Sequence, residues 1–213
     1  MELWEEWFQE KQVERTIRAL KKNHFEAFFV PDSKAALDEV MRRIPDEATV
    51  AVGGSQTLRE IGFLDAIEKR KVHFIWPSQQ AQDIEAKIEL IRKTFFADFF
   101  LSSTNAVTED GKLFNIDGIG NRVGAMLIGP KQVIVICGVN KIVKDIEAAE
   151  KRLKEWAAPQ NAKRINRKPP CTETGVCSDC NSPERICNVY VTIARKPGDT
   201  KFAVILVGEK LGI

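Results

Sequence analysis

Seven short apolar runs separated by helix-patterned segments constrain this chain more than any other feature. They are FEAFFV (25–30), TVAV (49–52), KVHFIW (71–76), ADFFLSS (97–103), VIVIC (133–137), NVYVTIAR (188–195) and KFAVILVG (201–208). Runs of this length rich in Val, Ile and Phe read as strands. Pro31 ends the first, and Asp32 or Ser33 can cap a helix through about Ile44. A second helix begins near Ser55 and a third runs from Pro77 and Ser78 to about Thr94. In a fourth, reaching about Ala158, Val143, Ile146, Leu153 and Trp156 share one face. Strands alternating with helices predict an α/β fold with a mostly parallel sheet covered on both faces. NAVTEDGKLFNI predicts a small hairpin, and the last two runs a second hairpin through PGD, which makes the sheet mixed.

Residues 2–22 fit an amphipathic helix with Leu3, Trp7, Val13, Ile17 and Leu20 inward. Trp4 and Phe8 widen its apolar stripe toward a second subunit, as in a homodimer, or toward the body of the same chain. The expected organisation is this helix (1–22) followed by one α/β domain (23–213) carrying a Cys-rich insert at 169–188. Lys plus Arg at 32 against Asp plus Glu at 30 is too balanced to call for a nucleic-acid partner. No apolar run approaches the ~20 residues that span a bilayer, and the acidic start MELWEEWFQEK is no signal core. The simplest location is the cytoplasm.

Six of the 13 glycines fall between Gly111 and Gly138, amid polar residues and between two apolar strands. Glycine at that density implies backbone that takes positive φ or approaches a ligand closely. Open α/β sheets bind ligands beyond the C-terminal ends of their strands. There Gly53, Gly54, Ser55 and Gln56 would offer free amides at a strand-to-helix turn, with a Thr57 hydroxyl beside them, for an anion. The competing reading is a tight turn capped by Ser55. The turn is neither a Walker loop nor a GxGxxG fingerprint.

Around the glycines, Asn105, Asn121, Arg122, Asn140 and Lys141 are candidates to orient an anion, Arg122 by bidentate hydrogen bonding. Lys131 precedes its strand; it supplies a cation if the preceding segment folds back and is an edge residue otherwise. Glu60, Glu109 and Asp117 are the acid/base candidates, each with a structural alternative: a surface helix position, a hairpin turn and an Asx-type cap. His24 and His73 read as packing or surface residues, and Cys137 as a buried small side chain.

Cys171, Cys177, Cys180 and Cys187 have C-x5-C-x2-C-x6-C spacing. Four thiolates could hold zinc or a [4Fe–4S] cluster, and free thiols or a redox pair at Cys177 and Cys180 are the alternatives. Lys163, Arg164, Arg167, Lys168 and Arg185 surround them and could attract an anion.

GGSQTLREIG (53–62), NAVTEDGKLFNIDGIGNRVGAM (105–126), GPKQVIVICGVNKIV (129–143) and AAPQNAKRI (157–165) together resemble the lactate-utilisation, or LUD, domain family. The resemblance covers nearly the whole chain. It implies a fold similar to ribose-5-phosphate isomerase, glucosamine-6-phosphate deaminase and the CoA transferases. It also implies work in lactate or organic-acid oxidation beside iron–sulfur or other oxidoreductase partner subunits. The expected ligand is a small anionic metabolite, and the expected role is an accessory component. An independent isomerase or transferase acting on phosphosugar or acyl substrates, and an iron–sulfur redox or binding module, remain open.

Overall fold

A computed structural model describes residues 3–213. Residue 2, where the sequence starts the first helix, lies outside the described residues. The strands are β1 Glu26–Val30, β2 Thr49–Val52, β3 His73–Ile75, β4 Phe99–Ser102 and β5 Ala106–Thr108. They continue with β6 Leu113–Asp117, β7 Gln132–Gly138, β8 Ile142–Val143, β9 Val189–Ile193 and β10 Lys201–Val207. The helices are α1 Leu3–Lys22, α2 Ser33–Arg43, α3 Gln56–Glu60, α4 Phe63–Ile67 and α5 Pro77–Gln80. After them come α6 Ile84–Thr94, α7 Asn121–Leu127, α8 Ile146–Arg152, α9 Ala158–Arg164 and α10 Cys171–Thr174.

The fold is α/β with mixed, mostly parallel strand pairing, divided between two sheets rather than held in one. Six parallel strands run in the order β1-β10-β7-β4-β2-β3, and four more in the order β8-β5-β6-β9. Alternate residues of the large sheet face opposite cores, as the strand period requires. Val50, Val52, Leu101, Ile134 and Ile136 meet α2, α3 and α4 through Val40, Leu58 and Phe63. Ala51, Phe100, Val133 and Val135 meet α1, α7 and the inner face of the small sheet through Leu20, Met126 and Leu113. Ala149, Leu153 and Ala157 cover the small sheet's outer face.

The hairpin expected at the C-terminus does not form. β9 pairs antiparallel with β6 in the small sheet. β10 crosses to the large sheet and lies parallel between β1 and β7. The β5–β6 hairpin does form, and Gly111 takes φ 81° in its turn. A Cβ there would stand 2.5 Å from the Ala19 carbonyl carbon, so glycine also allows α1 to approach.

Two helices break where the sequence reads them as continuous. Gly62 adopts φ 74° and ends α3 after five residues. Asp83 caps α6 by accepting from the Ala86 amide at 2.8 Å, which separates α6 from α5. The last long helix instead runs further than expected, to Arg164, through a π turn at Leu153–Ala157. Pro159 has no amide to donate to residue 155, so the wide turn falls just before it. Leu3 and Trp7, expected to face inward, are 82% and 58% exposed, whereas Val13 and Leu20 are buried.

Candidate functional site

Adjacent strands β2 and β4 send their chains to opposite faces of the large sheet, and a crevice opens between their C-terminal ends. This is the position at which open α/β sheets bind ligands. The cavity measures about 500 Å³. Gly54, Ser55, Gln56 and Thr57 line it after β2, and Ser103, Thr104 and Asn105 after β4. Asn161 and Arg164 arrive from beyond the π turn, and Arg167 and Arg185 from the Cys-rich segment and its approach. Six cationic side chains (Lys87, Arg122, Lys141, Arg164, Arg167 and Arg185) face two carboxylates, Asp117 and Glu184. Charge of one sign in a concave, partly desolvated site concentrates ligands of the other sign.

Arg122 holds the crevice floor together. Its Nε donates to Asp117 Oδ1 at 3.0 Å, and its Nη2 to Asn105 Oδ1 at 2.8 Å and the Ile116 carbonyl at 3.1 Å. Its Nη1 donates to Asn115 Oδ1 at 2.6 Å and to the Ser103 carbonyl at 2.8 Å. All five guanidinium protons are therefore engaged, and no bidentate fork remains for a ligand. Asp117 is equally occupied, since its Oδ2 accepts from the Val123 amide at 2.9 Å and starts α7. Aiming Asn115 Oδ1 at Arg122 leaves Asn115 Nδ2 buried without a partner among the described residues, which costs about 1–3 kcal/mol.

Lys141 has a different setting. It ends the 3-10 turn Val139–Lys141 that follows β7 and is 3% exposed. Its Nζ donates to Thr57 Oγ1 and Ser103 Oγ, each at 2.9 Å. Burial, with the Arg152 and Arg122 charges adding to it and Cys137 and Glu60 opposing it, lowers its pKa from 10.5 to about 8. Among the described residues no carboxylate lies within ion-pair distance of this amine. Cys137, buried below it, has its own pKa pushed up to about 12 by desolvation and is no counterion at neutral pH.

Other residues singled out in the sequence lie elsewhere or serve the backbone around the crevice. Glu60 accepts from the Gly212 amide at 2.5 Å, and Asn140 Oδ1 from the Leu211 amide at 3.0 Å, so both hold the segment that passes over Lys141. Glu109 binds Gln12 and Arg15 of α1, away from the crevice. Lys131 pairs with Asp98 at 2.7 Å on the opposite edge of the sheet. Gly53 sits beneath the crevice, where a Cβ would stand 3.0 Å from Arg122 Cγ, while at Gly54 a Cβ would meet open space. Ser55 caps α3 by accepting from the Leu58 amide at 3.2 Å. Because α3 is only five residues long, the anion-attracting field comes mainly from side-chain cations rather than from its dipole.

The metal expected at Cys171, Cys177, Cys180 and Cys187 is not supported. Among the described residues no group of three or more His, Cys, Asp or Glu side chains could hold a metal ion. All four thiols are free, with Cys171 buried at the start of α10. Arg185 organises the segment instead, donating to the Cys180 carbonyl at 2.5 Å, the Cys187 carbonyl at 3.0 Å and Asp179 at 2.7 Å. Ser103, Thr104 and Asn161 were missed as site residues. The polar run Ser102–Thr104, following the buried run FFL, is the signal that could have pointed to the first two.

The fold and crevice define an α/β protein with a cation-lined pocket at the C-terminal edge of a parallel sheet. The LUD domain family matches residues 13–207, and the chain belongs to it. That membership associates the protein with lactate utilisation as an accessory or binding module. A crystal structure of a DUF162 family protein from Deinococcus radiodurans is similar in fold, with a TM-score of 0.53 at 11% identity. The match covers 94% of this chain and 98% of that one. eIF2B delta from Chaetomium thermophilum aligns at a TM-score of 0.35 and 17% identity, over 66% of this chain and 54% of that one, too weakly to carry an argument. No curated protein matches the chain. Among the described residues no helix is long and apolar enough to cross a membrane.

Proposed function

We propose that the crevice binds a small organic-acid anion, a 2-hydroxy or 2-oxo acid of the lactate class, and that the chain supplies this binding to an oxidoreductase partner subunit. The observation that carries the reading is Lys141, a buried amine with hydroxyl neighbours and, among the described residues, no carboxylate at ion-pair distance, in a pocket where cations outnumber carboxylates six to two. A ligand carboxylate would complete that charge balance. Thr57, Ser103 and Gln56 would hold it beside Lys141, while Arg164 and Arg167 would draw it in from the mouth. The ribose-5-phosphate isomerase/CoA transferase-like assignment is part of this proposal, supported by the crevice's place at the strand ends. An independent isomerase needs a free catalytic carboxylate. Asp117, the one carboxylate among the three acid/base candidates that reaches the crevice, is tied to Arg122 and the α7 amide.

Calorimetric titration of L-lactate and pyruvate into wild type and Gly54→Asp tests the reading. Gly54 has room for a side chain, so the variant should melt normally and bind at least about tenfold more weakly, a loss of roughly 1.4 kcal/mol. Equal affinity in the two proteins would remove the crevice as the binding site.

A further inference from the structure

Lys141, Thr57 and Ser103 form a compact group whose arrangement says more than that an anion binds nearby. Thr57 Oγ1 and Ser103 Oγ lie 3.3 Å apart, and each is 2.9 Å from Lys141 Nζ. All three residues line the crevice. A lysine kept only for structure would ordinarily meet a carboxylate when buried this deeply. Here no carboxylate reaches ion-pair distance among the described residues; Arg152 and Arg122 act against protonation of the amine, and Glu60, held on the Gly212 amide, acts for it from further off. A neutral amine satisfies the same site without a counterion, because its lone pair can accept from one hydroxyl while its N–H groups donate elsewhere. A desolvated lysine close to other cations is how an amine is made nucleophilic near neutral pH. Above it, a Cβ at Gly212 would come within 2.8 Å of Nζ and 2.5 Å of Thr57 Oγ1, so only a glycine lets the C-terminal segment pass this close to the amine.

We infer that Lys141 condenses reversibly with the keto group of a 2-oxo acid held in the crevice, giving an imine flanked by Thr57 and Ser103. This rests on the reading of the crevice as an organic-acid site and selects the oxo acid over the hydroxy acid as the reactive ligand. The neutral amine's lone pair forms a bond to the carbonyl carbon, and the carbonyl π pair moves to oxygen. The proton then in excess on nitrogen passes through the Ser103 or Thr57 hydroxyl to that oxygen, completing a carbinolamine. The nitrogen pair forms C=N as the hydroxyl leaves as water, the remaining nitrogen proton passing through the same side-chain hydroxyls to complete that water. One amine and one ketone thus become one imine and one water, and nothing is oxidised or reduced. The two hydroxyls are the proton relay and Lys141 is the nucleophile. A carboxylate on the neighbouring carbon is favoured by the same cations that ease loss of the amine's proton.

Pyruvate with sodium borohydride tests this on the intact protein, because borohydride reduces the imine to a stable secondary amine. The expected result is one reduced pyruvyl adduct per chain by mass spectrometry, mapped to the peptide containing Lys141. It should be absent in Lys141→Arg, and L-lactate, which has no carbonyl, should suppress trapping without forming an adduct. Ser103→Ala should trap severalfold more slowly. If Lys141→Arg does not fold, the location of the adduct in wild type decides. Pyruvate that binds calorimetrically without forming an adduct, or an adduct on other lysines, overturns the inference and leaves the anion site standing. If neither pyruvate nor lactate binds, both fail.

Discussion

Two buried cations stand on the same crevice and have opposite surroundings. Arg122 spends all five donors on Asp117, Asn105, Asn115 and two carbonyls. Lys141 has two hydroxyls and no carboxylate. Both come from stretches that the sequence marks as ligand-binding, yet the acceptors around each assign different work. A saturated guanidinium ties α7 to β6 and to the segment after β4 and has nothing left for a ligand. An amine in a desolvated site without a counterion is ready for a carboxylate or a carbonyl. Burial alone does not distinguish scaffold from site; the count of partners does.

The comparison is broken most forcefully at Arg122. Arg122→Ala should lose about 3–5 kcal/mol of stability, because it leaves Asp117 charged, buried and unpaired; a small shift in the denaturant midpoint would show that the network is not a scaffold. Lys141→Met should behave in the opposite sense. The folded value of about 8 lies below the ordinary 10.5, so between those pH values the unfolded chain binds more protons and wild-type stability rises with pH. The gap corresponds to roughly 3 kcal/mol at most. Denaturation of wild type and Lys141→Met at pH 7 and pH 10 should show wild type gaining on the variant as pH rises. A parallel pair of pH profiles would mean that the lysine is not desolvated.

Gly54→Asp, which should weaken anion binding about tenfold without altering the melting temperature, sharpens the same contrast from the ligand's side. The smallest effect is expected at Glu109→Gln. Its partner Arg15 is 47% exposed, and partly exposed ion pairs contribute about 1 kcal/mol or less. Binding of lactate or pyruvate should not change at all in that variant, since Glu109 faces α1.

Much of the fold was legible because buried strands and amphipathic helices carry their own periods. The misplaced final hairpin shows the limit and its remedy. A short PGD-containing link favours a local turn, but KFAVILV is buried on both faces whereas VYVTI alternates between more and less exposed positions. Those are the patterns of a central parallel strand and a half-covered strand, which belong in different sheets. The crevice was legible in part. Gly54, Thr57, Asn105, Asn121 and Lys141 line it because glycines and polar residues follow strand ends there. Arg122 lines it too, but its saturation depends on Asn105, Asn115 and the Ser103 carbonyl converging in space, which no linear spacing reveals. The cysteines mislead for the converse reason: their spacing resembles a chelate, but among the described residues no three of them gather as metal ligands, and Arg185 ties the Cys180 and Cys187 carbonyls together.

The most direct test of the central claim is calorimetric titration of pyruvate into wild type and Lys141→Met, each first shown to be folded by its melting curve. The account predicts saturable binding to wild type and at least about tenfold weaker binding, roughly 1.4 kcal/mol, to the variant. Equal affinity in the two folded proteins would contradict it.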